Sequence, residues 1–225
     1  MRNFFIGLST GSFFAGGFGL LLGLALGFGL GYLAGQWDMT GKVVSQDPSS
    51  GRFLSEPKTV WMQDGRSMQL IEDFVFIDSR GRPWLAEKDT VVNGASIPEV
   101  LWSVIGSPFT GKYRNASIVH DAECEKMQVP AADVHRMFYD ACLAGGVPET
   151  EAKALYWAVA NHGPQWRLLA VYESVSSNGQ EKSTTVLVPE TTQPKPLSPS
   201  DWEWAMEYMS KNDPPIESIP DIRSP

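Results

Sequence analysis

Cysteine and histidine are scarce in this sequence, and one long stretch carries no charge at all. Two cysteines among 225 residues, Cys124 and Cys142, exclude a disulfide scaffold and a zinc site built from four thiolates. Between Asn3 and Trp37 there is no Asp, Glu, Lys or Arg. Basic charge is short in the remainder too. All 26 acidic residues but only 17 of the 18 basic ones follow Trp37, which leaves that part a formal charge of −9. Such a balance excludes a basic nucleic-acid-binding protein, and no nucleic acid is expected as partner or substrate. Aromatic residues are not lacking: 8 Trp, 11 Phe and 6 Tyr exclude wholesale disorder.

The uncharged stretch is long enough to cross a bilayer, which takes about 20 apolar residues. Residues 12–35 supply Phe, Leu, Ala and Gly, and Tyr32 and Trp37 stand where interfacial aromatics belong. A cleaved signal peptide is the rival reading, but its apolar region runs to only about 7–15 residues. Residues 1–37 are therefore expected to be an uncleaved single-pass anchor in contact with membrane lipid, in the inner membrane of a bacterium. Gly11, Ala15, Gly19, Gly23, Gly27, Gly31 and Gly35 recur every fourth residue and would share one helix face. Helix association in lipid depends on close backbone approach, which such a stripe permits. Gly19, Gly23, Gly27 and Gly31 are thus candidates for self-association or for pairing with another membrane helix. The flanking charges, Arg2 on one side and Lys42 and Arg52 on the other, are nearly balanced. The short cationic amino-terminal tail favours an inside amino terminus, and the side of the large domain stays open.

Residues 38–52 read as a polar linker, 53–188 as an α+β domain and 189–225 as a Pro-rich acidic tail holding eight of the 16 prolines. Strands are expected at 58–63 and 68–78, with a turn at Ser79-Arg80-Gly81-Arg82, a returning strand at 83–87 and a short one at 90–92. In the second of these, Leu70, Glu72, Phe74 and Phe76 share one parity. The period then changes. Ser96 followed by Glu99 matches a capping box with Pro98 in the first turn, so both are expected to be structural, at the start of a helix reaching residue 105. Further helices are expected at 113–127, at 130–144 with Val134, Met137, Phe138 and Ala141 inward, and at 149–162 with Leu155, Ala158 and Val159 inward. Strands at 168–173 and 184–188 follow. Ser200 and Glu203 mark a second capping box for a short helix to 209, and the last residues are expected to be disordered or docked as a strap.

The ordered set Gly94-Ala95-Ser96-Ile97-Pro98, Trp102, Gly106, Pro108, Gly111, Tyr113, Ala116, His120-Asp121 and Cys124, with Ala132-Asp133, Phe138, Gly146-Val147, Tyr156, Val159 and Gly163 after it, resembles a known family. It is the domain of unknown function numbered thirteen fifty-three, found in uncharacterised bacterial and tailed-phage proteins, so the resemblance implies a phage-related origin. Asn93 stands where that family tends to have Asp, and Glu99 where a basic residue is common. The resemblance implies a fold, and no reaction.

All three histidines, His120, His135 and His162, lie in this block. His120, Asp121 and, on the following helix, Asp133 and His135 are a palette for a divalent ion. Two functions follow. In the first, the domain is a non-catalytic interaction module, and His120 and Asp121 hydrogen-bond buried backbone. In the second, it is a metal-dependent hydrolase in which His120, Asp121 and Asp133 hold zinc or manganese as cofactor and polarise a water. The His-Asp phosphohydrolase arrangement is excluded, because no His precedes His120. A lesser reading makes Cys124 a nucleophile with His120, four residues away, as its base. In an oxidising compartment Cys124 and Cys142 would pair instead. The first function is preferred. Convergence of His120, Asp121 and Asp133 in an open cleft would favour the second.

Overall fold

The computed structural model describes residues 48–94, 96–104, 106–107, 109–177 and 180–225. The expected anchor over 1–37, its stripe of Gly19, Gly23, Gly27 and Gly31, and the linker as far as residue 47 lie outside the described residues. Among the described residues no helix is long and apolar enough to cross a membrane.

The domain is α+β, as the patterning implies. Strands β1 (Arg52–Phe53), β2 (Thr59–Trp61), β3 (Met68–Leu70), β4 (Phe74–Ile77), β5 (Pro83–Ala86) and β6 (Val91–Val92) come first. Helices α1 (Val100–Val104), α2 (Arg114–Lys126), α3 (Ala131–Ala144) and α4 (Glu149–His162) follow. Then come β7 (Gln165–Ser177), β8 (Gln180–Thr192), α5 (Pro199–Asn212) and a 3₁₀ segment, Ile216–Asp221. The small strands form two antiparallel sheets, ordered β1-β4-β5 and β2-β3-β6, and among the described residues β7 pairs only with β8.

The single strand expected over 68–78 is two strands in different sheets. The chain leaves the β2-β3-β6 sheet after Leu70 and enters the β1-β4-β5 sheet at Phe74. The Asp73 carboxylate accepts the Lys88 N–H at 2.8 Å inside that crossover. Of the residues sharing that parity, Leu70, Phe74 and Phe76 are fully buried, whereas Glu72, in the break, is exposed and paired with Lys58. At the β4–β5 turn the buried Asp78 carboxylate accepts the N–H groups of Arg80 and Arg82 at 2.9 Å and the Trp84 indole N–H at 3.0 Å. These bonds fold the Ser79-Arg80-Gly81-Arg82 turn. Asp140 of α3 accepts the Ser79 N–H at 3.2 Å and so ties the turn to the helices.

The core lies where the two small sheets meet α2 and α3, and it continues into α4, which packs on α3. On α3, Val134, Met137, Phe138 and Ala141 are buried as expected, each worth roughly 1.5–3 kcal/mol for the larger side chains. Helix α4 begins after Pro148, with Glu149 and Glu151 favourably placed in its first turn, and stops at Gly163-Pro164. It is buried nearly all round, from Ala152 to Val159, which the three inward residues expected from periodicity understate. The reason is the tail. Helix α5 and residues 216–221 cover the face of α4 that α3 leaves open. Trp157 donates its indole N–H to Ile222 O at 3.0 Å and packs on Trp204. The end of the chain is thus a docked strap. Helix α5 is capped by Ser198 and Asp201 in a reciprocal capping box with Pro199 in the first turn, two residues before the expected box at Ser200 and Glu203.

Candidate functional site

Helix α2 presents His120, Asp121 and Cys124 within one turn, and α3 brings His135 against them. The helices cross where Phe138 lies 4.6 Å, centroid to centroid, from the His120 ring. Both histidines are buried, His120 completely.

Their hydrogen bonds have a direction that chemistry dictates. His135 Nε2 lies 2.9 Å from Pro164 O, and a carbonyl only accepts, so the His135 proton is on Nε2. Neutral His135 therefore has a bare Nδ1, which lies 2.9 Å from His120 Nε2. His120 must donate there, which leaves its own Nδ1 bare. That atom is 3.1 Å from Ser96 Oγ, so the serine hydroxyl donates to it. The result is a directed chain from Ser96 O–H through His120 and His135 to a backbone carbonyl. Burial keeps both rings neutral: it lowers the His120 pKa well below the usual value, with His135 adding to the effect, and holds His135 at about 4.

This corrects the expected role of Ser96. Helix α1 begins only at Val100, and its first turn is closed by Pro98 O and Glu99 O accepting from Leu101 and Trp102. The Ser96 hydroxyl faces an imidazole instead of standing at the head of the helix, and Glu99 is exposed. Asp121 holds the loop that carries it. One Asp121 oxygen accepts the N–H groups of Asn93 and Gly94 at 2.8 and 3.1 Å, and the other accepts that of Ser96 at 3.2 Å. Asp133 lies apart, half-exposed, 3.6 Å from the Arg82 guanidinium.

The trio His120, Asp121 and Asp133 is therefore not brought together. The residues that converge are His120, Cys124 and His135, whose potential ligand atoms lie within 4.8 Å of one another and could hold an ion. Seating one would require the two rings to give up their mutual hydrogen bond and the Cys124 thiol to ionise. Burial pushes that thiol well above its usual pKa, with Asp121 and Glu123 adding to the shift. Cys124 Sγ sits 3.7 and 3.9 Å from the two His120 nitrogens, nearly equidistant, so it lies along neither nitrogen's in-plane lone pair. Both nitrogens already have partners, so His120 is not a base for Cys124. Cys124 and Cys142 are both free thiols, not a pair.

A cavity of about 280 Å³ opens beside Ser96, with Ile97, Trp102, Arg66, His162 and Gly163 in its wall. The Arg66 guanidinium lies over the Trp102 ring, 4.7 Å from its centroid. The Trp102 indole nitrogen is buried and has no hydrogen-bond partner among the described residues. The cavity escaped the sequence reading because its lining residues are distant in the chain, and Ser96 was read as a helix cap because its imidazole partner lies 24 positions away.

Residues 68–159 match the family model described as "Protein of unknown function (DUF1353)", which is the family that the motifs resemble. The match spans β3 to α4 and contains Ser96, His120, Asp121, Cys124 and His135. Two proteins of Sinorhizobium fredii (strain NBRC 101917 / NGR234) are similar. Uncharacterized protein y4jT is 47% identical over 120 residues, covering 52% of this chain and 36% of that protein. Uncharacterized protein y4iH is 36% identical over 114 residues, covering 51% of this chain and 48% of that protein. The chain thus spans less than half the length of either relative. No solved structure matches.

Proposed function

We propose that the protein is a membrane-tethered interaction module that assembles with further copies of itself, through the β7–β8 ribbon and the glycine stripe. The observation that carries this is the ribbon. Its strands have 13 residues each, so it runs for about 43 Å, and a two-stranded ribbon alone in water is marginally stable. Leu169 pairs with Val188 and Val171 with Val186, which gathers four aliphatic side chains on one face. Leu169, Val171 and Val188 are 38%, 41% and 42% exposed, too open for a face meant to stay in water alone. An Arg167–Glu190 ion pair of 2.5 Å borders the patch on the same face. The patch is uncharged, which suits a second copy related by twofold symmetry. The stripe at Gly19, Gly23, Gly27 and Gly31 supports the same partner independently, through close helix approach in lipid.

A metal-dependent hydrolase at His120, Asp121 and Asp133 draws no support from this geometry, since Asp121 is engaged by three backbone N–H groups and Asp133 by Arg82. The proposal is tested on the full chain in detergent by light scattering. Val171→Asp with Val188→Asp should lower the oligomer size at unchanged melting temperature. Gly23→Ile with Gly27→Ile should weaken association in a bilayer assay. A parent that is monomeric throughout, or variants that associate as the parent does, would sink it.

A further inference from the structure

We propose that Ser96 is the nucleophile of a chemical function distinct from assembly, the cleavage of a short ester or thioester that carries an anionic group. The argument begins with the direction of the hydrogen-bond chain. A serine hydroxyl that donates to a bare imidazole nitrogen, with the imidazole oriented by a third group, is the arrangement of an activated nucleophile. Here the third group is His135, itself anchored on Pro164 O, and His120 can present Nδ1 to Ser96 only while Nε2–H is held by His135. A purely structural serine would need no such sequence of oriented rings.

The second strand of the argument is the space beside it. Ser96 lines the cavity of about 280 Å³, just below the usual range of about 300–1,000 Å³ for small-molecule clefts, so the acyl group it admits is short. The backbone N–H of Ser96 bonds Asp121 and is not available to a developing oxyanion. Trp102 and Arg66 also line the cavity, the buried indole N–H without a partner among the described residues and the Arg66 guanidinium stacked on the ring. Arg66 makes no salt bridge among the described residues, acting on the exposed Asp64 only through its charge, and a cation over an aromatic face beside an orphaned N–H suits a carboxylate or phosphate oxygen. The buried base is weak, which restricts the reaction to acyl groups with an alcohol or thiol leaving group.

The step balances without any further reagent than water. Ser96 Oγ bonds to the carbonyl carbon as its proton passes to His120 Nδ1. That proton then goes to the leaving oxygen or sulfur as its bond to carbon breaks. Water attacks the acyl-serine, gives a proton to His120 Nδ1, and the acid departs as the proton returns to Ser96. His135 acts through His120 and is a positioning residue.

The test is phosphonylation by a neutral fluorophosphonate, in which an Oγ–P bond forms and fluoride leaves. It is run on the full chain in detergent and read by intact mass and peptide mapping. A single adduct on Ser96 is expected, absent in Ser96→Ala and at least tenfold slower in His120→Gln. His135→Gln, whose amide oxygen can still accept from His120 Nε2–H, should keep most of the rate, whereas His135→Leu should lose it. Burial of His120 places the acid limb of the parent's rate profile below the ordinary imidazole range. Arg66→Ala should slow hydrolysis of p-nitrophenyl hemisuccinate more than that of p-nitrophenyl acetate. No adduct on Ser96 in a parent with a normal unfolding transition would overturn the proposal. Equal labelling of His120→Gln would overturn it as well. Neither result bears on the oligomeric state, so the two proposals fail separately.

Discussion

Replacing Asp121 with Ala removes the acceptor of three backbone N–H groups in the loop that carries Ser96. Two of those donors, on Gly94 and Ser96, belong to buried residues, and the third, on Asn93, to an exposed one. A buried donor left without a partner costs about 1–3 kcal/mol. The Asn93 N–H can turn to water at little cost. Asp121 is itself half-buried, so solvent recovers part of the loss, and a net destabilisation of about 3 kcal/mol is expected. For a chain of this size that corresponds to a fall of roughly 6–12 °C in Tm. Asp121→Asn should lose about half as much, because one oxygen can still accept while the amide opposes the other N–H. Urea unfolding of the full chain measures the difference. If Asp121 instead held an ion, its loss would lower a bound-metal stoichiometry, whereas this account predicts no change in metal content. A variant as stable as the parent to within about 0.5 kcal/mol would refute the loop-anchoring role.

The other predictions concern protonation and capping. His135 has a folded pKa of about 4 against an ordinary 6.5, so between these values the unfolded chain binds a proton that the native state refuses. Its contribution is complete above pH 6.5 and is lost as the pH falls through about 4, by up to about 3 kcal/mol, with His120 acting in the same direction. The urea midpoint should fall between pH 6.5 and 4.5, and a flat profile there would contradict the buried neutral pair. Ser198→Ala should cost about 0.5–2 kcal/mol by removing the cap of α5. It should also release the Asp201 carboxyl, held at about 2 chiefly by Ser198, towards ordinary values, which a carboxylate titration by NMR would show.

Local signals were read well and tertiary ones were not. Helix α4 was expected at 149–162 and lies there, because Pro148 and Gly163-Pro164 act on their own backbone whatever surrounds them. The α3 stripe was legible for the same reason. The break between β3 and β4 was not, since 68–78 has strand composition throughout and only pairing with two different neighbours divides it. The ribbon runs longer than its apolar segments, for backbone pairing continues through the Ser- and Thr-rich residues 174–177 and 180–185. The α5 cap was misplaced by two residues, although Pro199 in the first turn and Asp201 at the third position were available as signals. Ser96 matched a capping box in one dimension, yet its hydroxyl meets a residue 24 positions away. Asp121 and Asp133 looked like ligands by type. What they bind, a loop and an arginine, is settled by packing.

The hydrogen-bond chain from Ser96 to Pro164 is the claim on which most of this reading turns, and nitrogen-15 NMR of the full chain labelled at histidine tests it most directly. At pH 7, His120 and His135 should both be neutral, each protonated at Nε2 and bare at Nδ1. A His120 protonated at Nδ1, or an imidazolium at either position, would reverse the direction of the chain and leave Ser96 without a base.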